Sequence, residues 1–466
     1  MSWSGDKVSD FLTSLMNERL AKKDVIVKTV GANPMYNRIS KFSEKADFTD
    51  DGKAKLVMEV MYNRNAGPRP EAVDVMQPGK DEYTTVYLDM KQYMSSIGFT
   101  QEEAEDIVTA DNAAVANLVN RKINNAVKDM KHKLNYAYSA DGTGRLARVS
   151  AYDAGTRTVT VDNEQPDFGW SKCQFLRDGM YVDIYTVADI TGAAAWTLKC
   201  SRVQITSVNR AAGTFVVSGI TEAPADGDFV FLPGSVLFTA DGKWAGWTNT
   251  PGLLTIVDDG SCAGHEFGDG SSNAYNGNWY GATWQHVTRA NYSQLLAKVY
   301  RAGDWAGGTD GTAATCTLED INACIRSVDE EGEGGGMISA LYMNPATRDW
   351  FAPIAAAAQN LTVTTTENKV TGGITQIDSY KTATGRLIPI ISMVTLPNGV
   401  IMGGDEGDIK LYEKVPLGWF KGMGGMTFPS PGQRNLTFEG WQRTRLVLAA
   451  ERCDNWFRME DIDISA

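Results

Sequence analysis

The side chains able to carry acid–base, nucleophilic or metal chemistry are scattered along this chain. Its three histidines, His132, His265 and His286, lie far apart, and no pair has the spacing that sets two imidazoles on one helix face for zinc. His132 falls among lysines, and all three read as solvated or packed residues. The six cysteines, Cys173, Cys200, Cys262, Cys316, Cys324 and Cys453, include no C-x-x-C pair and no histidine at zinc-finger distance. Reduced, partly buried thiols are expected, because disulfide frameworks belong to small secreted domains.

Other motifs are equally sparse. Ser261-Cys262 lacks the flanking glycines of a nucleophile elbow, so no triad is nominated. Gly422-Met423-Gly424-Gly425-Met426 and Glu331-Gly332-Glu333-Gly334-Gly335-Gly336 have neither the Lys-Ser/Thr of a phosphate loop nor a strand–loop–helix setting. Asp405-Glu406-Gly407-Asp408 lacks the spacing and terminal Glu of an EF-hand and reads as a solvated acidic turn. Trp244, Trp247, Trp279, Tyr280 and Trp284 could stack on bases or sugars, but stacking platforms come with a basic groove. Packing in a core or interface is the preferred reading. No catalytic residue, cofactor or metal is assigned, and the expectation is a structural protein, not an enzyme.

The whole-chain balance points the same way. With 44 Lys and Arg against 57 Asp and Glu, the net charge is −13, unlike a protein that grips phosphates with its overall field. Nucleic acid beside it would be contained rather than held. No apolar run approaches the roughly 20 residues of a membrane span, and residues 1–10 lack a signal-peptide core. The expectation is a soluble protein made in a cytoplasm, with no membrane partner. The 466 residues suffice for several compact units, and 46 glycines against 15 prolines suggest many turns.

Residues 1–54 are polar with isolated hydrophobes, Phe11, Leu12, Leu15, Ile39 and Phe42. They form either an extended arm covered by a neighbour or a helix pair on their own domain. Residues 55–62 and 83–90 have strand composition, separated by Gly67-Pro68-Arg69-Pro70 and Gln77-Pro78-Gly79-Lys80. This describes a long hairpin with little local core.

Thr100-Gln101-Glu102-Glu103 is a capping box in which the Thr100 hydroxyl and the Glu103 carboxylate satisfy orphan backbone N–H groups. Val115, Val119, Ile123, Val127, Met130, Leu134 and Tyr138 then recur at spacings of three and four, with lysines and asparagines between them. Asp141-Gly142-Thr143-Gly144 stops the pattern. An unbroken helix would run about 38 residues, about 57 Å, long enough to be a spine for other layers. Thr100, Glu103, Val119, Ile123, Val127, Met130 and Leu134 are its structural residues.

Residues 151–238 change character, with β-rich runs at 156–161, 180–187, 202–208, 214–218 and 229–232. They suggest an inserted small β-barrel. Helices are expected at 292–300, at 318–328 after Thr317 as cap, and from Asn344-Pro345 to about 358. Strands are expected at 337–343, 387–394, 399–402, 409–412 and 446–450.

This order of arm, hairpin, capped spine helix, β-insert and mixed α/β body resembles the major capsid proteins of tailed phages with the Hong Kong 97 fold. The resemblance extends over nearly the whole chain. It is strongest from Lys133-Leu134-Asn135 to Gly142-Thr143-Gly144-Arg145-Leu146-Ala147, and at Leu253-Leu254-Thr255-Ile256-Val257-Asp258-Asp259-Gly260. It implies an α+β fold with an N-terminal arm (1–54), an E-loop hairpin (55–99), a spine helix and peripheral domain (100–150) and the inserted barrel-like β-domain (151–238). A peripheral and axial body (239–330), an axial domain (331–430) and a C-terminal return to the body (431–466) would follow.

The implied function is an icosahedral head shell of hexamers and pentamers enclosing double-stranded DNA without sequence-specific binding. Scaffolding, portal and decoration proteins would be partners, and the virion the location. Two rivals stay open: an encapsulin-type nanocompartment shell protein, and a β-rich carbohydrate-binding protein or enzyme.

Overall fold

A computed structural model describes residues 34–44, 47–61, 82–99, 112–140, 142–161, 173–186, 196–238, 244–247, 249–259, 283–284, 287–308, 313–331, 337–359, 379–382, 385–419, 428–429 and 438–464. The chain divides into two compact units. One comprises Met1–Ala54, Asp89–Tyr138 and Leu411–Leu448, and the other Lys55–Leu88, Ser139–Lys410 and Ala449–Ala466.

In the first unit the apolar periodicity after residue 112 produces one helix, Asn112–Ser139, of 28 residues, about 42 Å at 1.5 Å per residue. The stop is at the expected glycines: Gly142 and Gly144 have φ of 78° and 79°, which only glycine adopts without strain. A Cβ on Gly144 would also lie 2.2 Å from the Asn249 amide nitrogen.

The same unit holds a five-stranded sheet built on the 13-residue strand Phe438–Ala450. Lys91–Phe99 pairs with it antiparallel over nine residues, from Phe99 opposite Phe438 to Lys91 opposite Leu446. Hence the hairpin strands are Ala54–Met61 and Glu82–Leu88, and 91–99, expected inside the hairpin segment, is a sheet strand instead. Its alternation of Tyr93, Ser95 and Ile97 inward with Gln92, Met94 and Ser96 outward fits a half-buried strand. Ile409–Trp419 and Ser40–Phe42 extend the sheet on the other side.

In the second unit a closed six-stranded barrel has the order Phe229–Phe231, Arg145–Asp153, Thr158–Val161, Thr214–Ser218, Thr197–Asn209, Tyr181–Thr186. Val149, Val159, Val182, Ile184, Cys200, Val203, Ile205, Phe215 and Val217 fill it. The sixth strand, Arg145–Asp153, straddles the expected boundary, its first six residues falling in the segment expected to be body and its last three in the insert. It closes the barrel because Val149 points into that core and Arg145 pairs with Phe231. The barrel therefore begins at 145 rather than 151, and its two ends are neighbours in one ladder.

Beside it lies a mixed six-stranded sheet in the order Lys298–Tyr300, Trp456–Met459, Ile401–Gly404, Ala340–Met343, Leu387–Ser392, Ser379–Lys381. Helices Leu318–Glu331 and Pro345–Gln359 cover one face through Ile321, Ile325, Val328 and Phe351. Thr317 caps the first of these helices, as expected, exchanging hydrogen bonds with Asp320. Asn344 accepts from the Ala346 N–H at the second. The helix expected at 292–300 is absent: 3-10 turns at Arg289–Asn291 and Ser293–Leu295 lead into the strand Lys298–Tyr300. Its apolar residues serve separate partners, Leu295 being fully buried while Tyr300 bonds Ser327.

Candidate interaction surfaces

Burial alternates along the described side chains of the hairpin. Leu56, Met58, Val86 and Leu88 are buried, whereas Val57, Tyr83 and Tyr87 on the opposite face are 45%, 60% and 48% exposed. Three large apolar side chains stand exposed on one two-stranded ribbon, apolar surface that association would cover. The turn sequences 67–70 and 77–80 lie outside the described residues.

The spine helix presents two different faces. Ile123, Met130 and Leu134 of the expected stripe are buried, together with Ala126, Ala137 and Tyr138, and Val127 sits half-buried at the stripe's edge. The buried line is 123, 126, 130, 134, 137, with Val127 at its edge. Val119 stands within the helix; Thr100 and Glu103 lie outside the described residues. Arg121, Asn124, Asn125, Lys128, Asp129 and His132 form the exposed face.

The segment before the hairpin resolves part of the arm question. Met35 and Ile39 are buried, and Phe42 stacks on Tyr412 of the chain's own sheet with centroids 5.3 Å apart. The Tyr36 hydroxyl donates to Glu413 at 3.1 Å, and the Lys41 ammonium lies 3.7 Å from the centre of the Tyr36 ring. Burial raises the Glu413 carboxyl above its usual range, against the hydrogen bonds it accepts. Ile39 and Phe42 thus need no neighbour; Phe11, Leu12 and Leu15 lie outside the described residues.

The most heavily buried charges were not legible in the sequence. The stretch singled out at residues 253–260 is a one-turn helix, Leu253–Ile256, followed by Asp258 and Asp259. Fully buried Arg458 donates to the carbonyls of Leu254 at 3.0 Å and Val257 at 2.7 Å, and bridges Asp258 at 3.3 Å and Glu460 at 3.0 Å. Arg301 joins Glu460 to Asp259, and buried Arg289 donates to the carbonyls of Thr255 and Asp258. Arginine suits this role because its forked donors satisfy several carbonyl and carboxylate oxygens at once. The sequence signal was weak: two aspartates closing an apolar run, with their arginines 31 to 200 positions distant.

The acidic turn 405–408 is a 3-10 turn capped by Asp405, which accepts from the Gly407 N–H. Asp408 accepts from the Asn455 amide at 2.8 Å. Burial pushes the Asp408 carboxyl up to about 6; Asp405 and Asp454 add to the rise, while Asn455 and Arg452 oppose it. The folded chain then binds this proton more tightly than the unfolded one. The stabilisation is complete below about pH 4 and lost as pH rises through about 6. Asp408→Asn keeps the acceptor for Asn455 without an ionisation. It should therefore be more stable than the parent by about 1–2 kcal/mol at pH 7.5 and equal to it near pH 4. Denaturant melts at the two pH values check this, and a variant equally destabilised at both would contradict it.

Among the described residues no group of three or more His, Cys, Asp or Glu side chains converges to hold a metal, and no helix is long and apolar enough to cross a membrane. Cys173, Cys200, Cys316, Cys324 and Cys453 are free and buried. Burial raises the Cys173 thiol to about 11 and the Cys316 and Cys453 thiols to about 12, which keeps them protonated and unreactive.

No family model and no curated protein matches the chain. Solved structures similar to it include the cyanophage A-1(L) capsid asymmetric unit, at 11% identity, covering 94% of this chain and 93% of the other, with a TM-score of 0.44. The capsid of an empty GTA particle is 9% identical over 92% and 89%, with a TM-score of 0.39. The satellite phage P4 procapsid, solved with its size determination (Sid) protein, is 7% identical over 94% and 99%, with a TM-score of 0.38. At these identities and TM-scores, the function is built from the chain's own elements.

Proposed function

We propose that this chain is the major capsid protein of a tailed phage, assembling through hexamers and pentamers into a shell around double-stranded DNA. The observation carrying the proposal is the hairpin. Its strands, Ala54–Met61 and Glu82–Leu88, bury one face and leave Val57, Tyr83 and Tyr87 exposed on the other. A lone ribbon with an apolar outer face is a poor solution for a monomer and a good one for a subunit whose neighbours cover it.

The order of the elements supports the same reading, since hairpin, spine helix, inserted barrel and mixed sheet follow the sequence of parts of Hong Kong 97-like capsid proteins. In this assignment the hairpin is the E-loop, the helix with its five-stranded sheet the peripheral domain, and the six-stranded sheet with its two helices the axial domain. Scaffolding, portal and decoration proteins would be its partners in the virion.

Expressed full-length, with or without a scaffolding protein, the chain should sediment as capsomers or megadalton shells that negative-stain imaging resolves as closed particles. Tyr83→Ser with Tyr87→Ser should leave the circular dichroism spectrum unchanged and abolish the particles. A parent chain that stays monomeric at high concentration would overturn the proposal. Shells found to hold a cargo enzyme rather than DNA would favour the encapsulin reading.

A further inference from the structure

The exposed face of the spine helix carries a charge opposite to that of the chain. From Arg121 to Lys133 the helix holds Arg121, Lys122, Lys128, Lys131 and Lys133 with a single carboxylate, Asp129, in a protein of net charge −13. Asp129 is already engaged by Lys133 at 3.0 Å, and Lys122 donates to the Gly98 carbonyl at 2.8 Å. Arg121 and Lys128 are exposed and Lys131 half-exposed; among the described residues none of the three has an acidic partner. Arg121 and Lys128 are two turns apart on one face, about 10.5 Å along the axis, with the exposed amides Asn124 and Asn125 between them.

We propose that this face contacts the phosphate backbone of duplex nucleic acid without reading its sequence. The inference rests on the shell reading above and deepens it by giving the spine helix a partner. Two classes of polyanion fit a row of cations, a nucleic-acid backbone and an acidic polypeptide, and the rest of the face chooses between them. A protein partner needs apolar anchors at the centre of its interface, yet among the described side chains of this helix, from Arg121 on, no large hydrophobic residue is exposed. Backbone contacts need Lys, Arg and amide donors, and the exposed face supplies Arg121, Asn124, Asn125 and Lys128, its one carboxylate, Asp129, being held by Lys133. The negative balance of the whole chain keeps such contacts weak, so DNA is touched at defined places and still slides.

The test uses the unassembled full chain and a 30-base-pair duplex of arbitrary sequence, titrated by fluorescence anisotropy from about 50 to 200 mM salt. Arg121→Gln, Lys128→Gln and Lys131→Gln together should weaken binding at least tenfold at the lowest salt. The logarithmic salt slope should fall by about 2.7, about 0.9 for each lost phosphate contact. The charge-preserving set Arg121→Lys, Lys128→Arg and Lys131→Arg should retain binding, which separates charge loss from misfolding. Absent binding by the parent chain, or equal affinity and slope in the neutralised variant, would overturn the inference. So would parent binding to polyglutamate in preference to the duplex, lost with the same three changes. Sedimentation of the same preparations keeps the outcomes apart: shells without a slope change sink this inference alone, and a slope change without shells sinks the shell reading.

Discussion

Arg458→Met is expected to cost about 3–5 kcal/mol and to leave little folded chain, because it removes the cation from a fully desolvated network while its partners stay. Asp258 and Glu460 lose their bridges at 3.3 and 3.0 Å, and the carbonyls of Leu254 and Val257 lose a donor each. Methionine fills much of the volume, so the loss is electrostatic rather than a cavity. Neutralising the two carboxylates with Asp258→Asn and Glu460→Gln should return a substantial part of the stability. Glu460 retains Arg301 at 3.0 Å in the single variant, so Glu460→Gln alone should recover the smaller part. Denaturant melts of the single, double and triple variants check this. A single variant that melts with the parent would show that the arginine contributes little beyond its packing.

The parts of the fold that could be read in advance were those with local causes. The helix Asn112–Ser139 follows from its three-and-four spacing and stops where Gly142 and Gly144 take positive φ. The helix starts at Thr317 and Asn344 follow from side chains that cap their own neighbourhood. Misread elements had distant causes. Residues 145–149, Arg-Leu-Ala-Arg-Val, carry no barrel signal of their own, and their pairing with Phe229–Phe231 and Val161 makes them barrel wall. Lys91–Phe99 becomes a sheet strand because it meets Phe438–Ala450, some 350 positions away. The Arg458 network is more extreme, since ionic partners 200 positions apart leave no periodicity for a sequence reading to find.

Ile123→Asp tests the spine helix at its most constrained point. Ile123 is 3% exposed on the line shared with Ala126, Met130 and Leu134, and none of these apolar side chains can accept or donate a hydrogen bond to a carboxylate. Burying an unpaired carboxylate there should cost on the order of 4 kcal/mol, with the cost capped by protonation as the aspartate's pKa rises. The helix predicts a graded series. Val127→Asp, half-buried at the edge of the line, should cost about 1–2 kcal/mol, because its carboxylate can turn toward water. Lys128→Asp, one position further and exposed, should stay within about 0.5 kcal/mol. It gains Lys131 and His132 as neighbours at three and four residues and loses little to Asp129, which Lys133 already holds. Soluble yield and melting temperature should therefore fall in the order Lys128, Val127, Ile123. Shell formation, by contrast, should fail for Ile123→Asp and survive in Lys128→Asp. Equal effects at the three positions would mean that the buried face of this helix had been assigned to the wrong side.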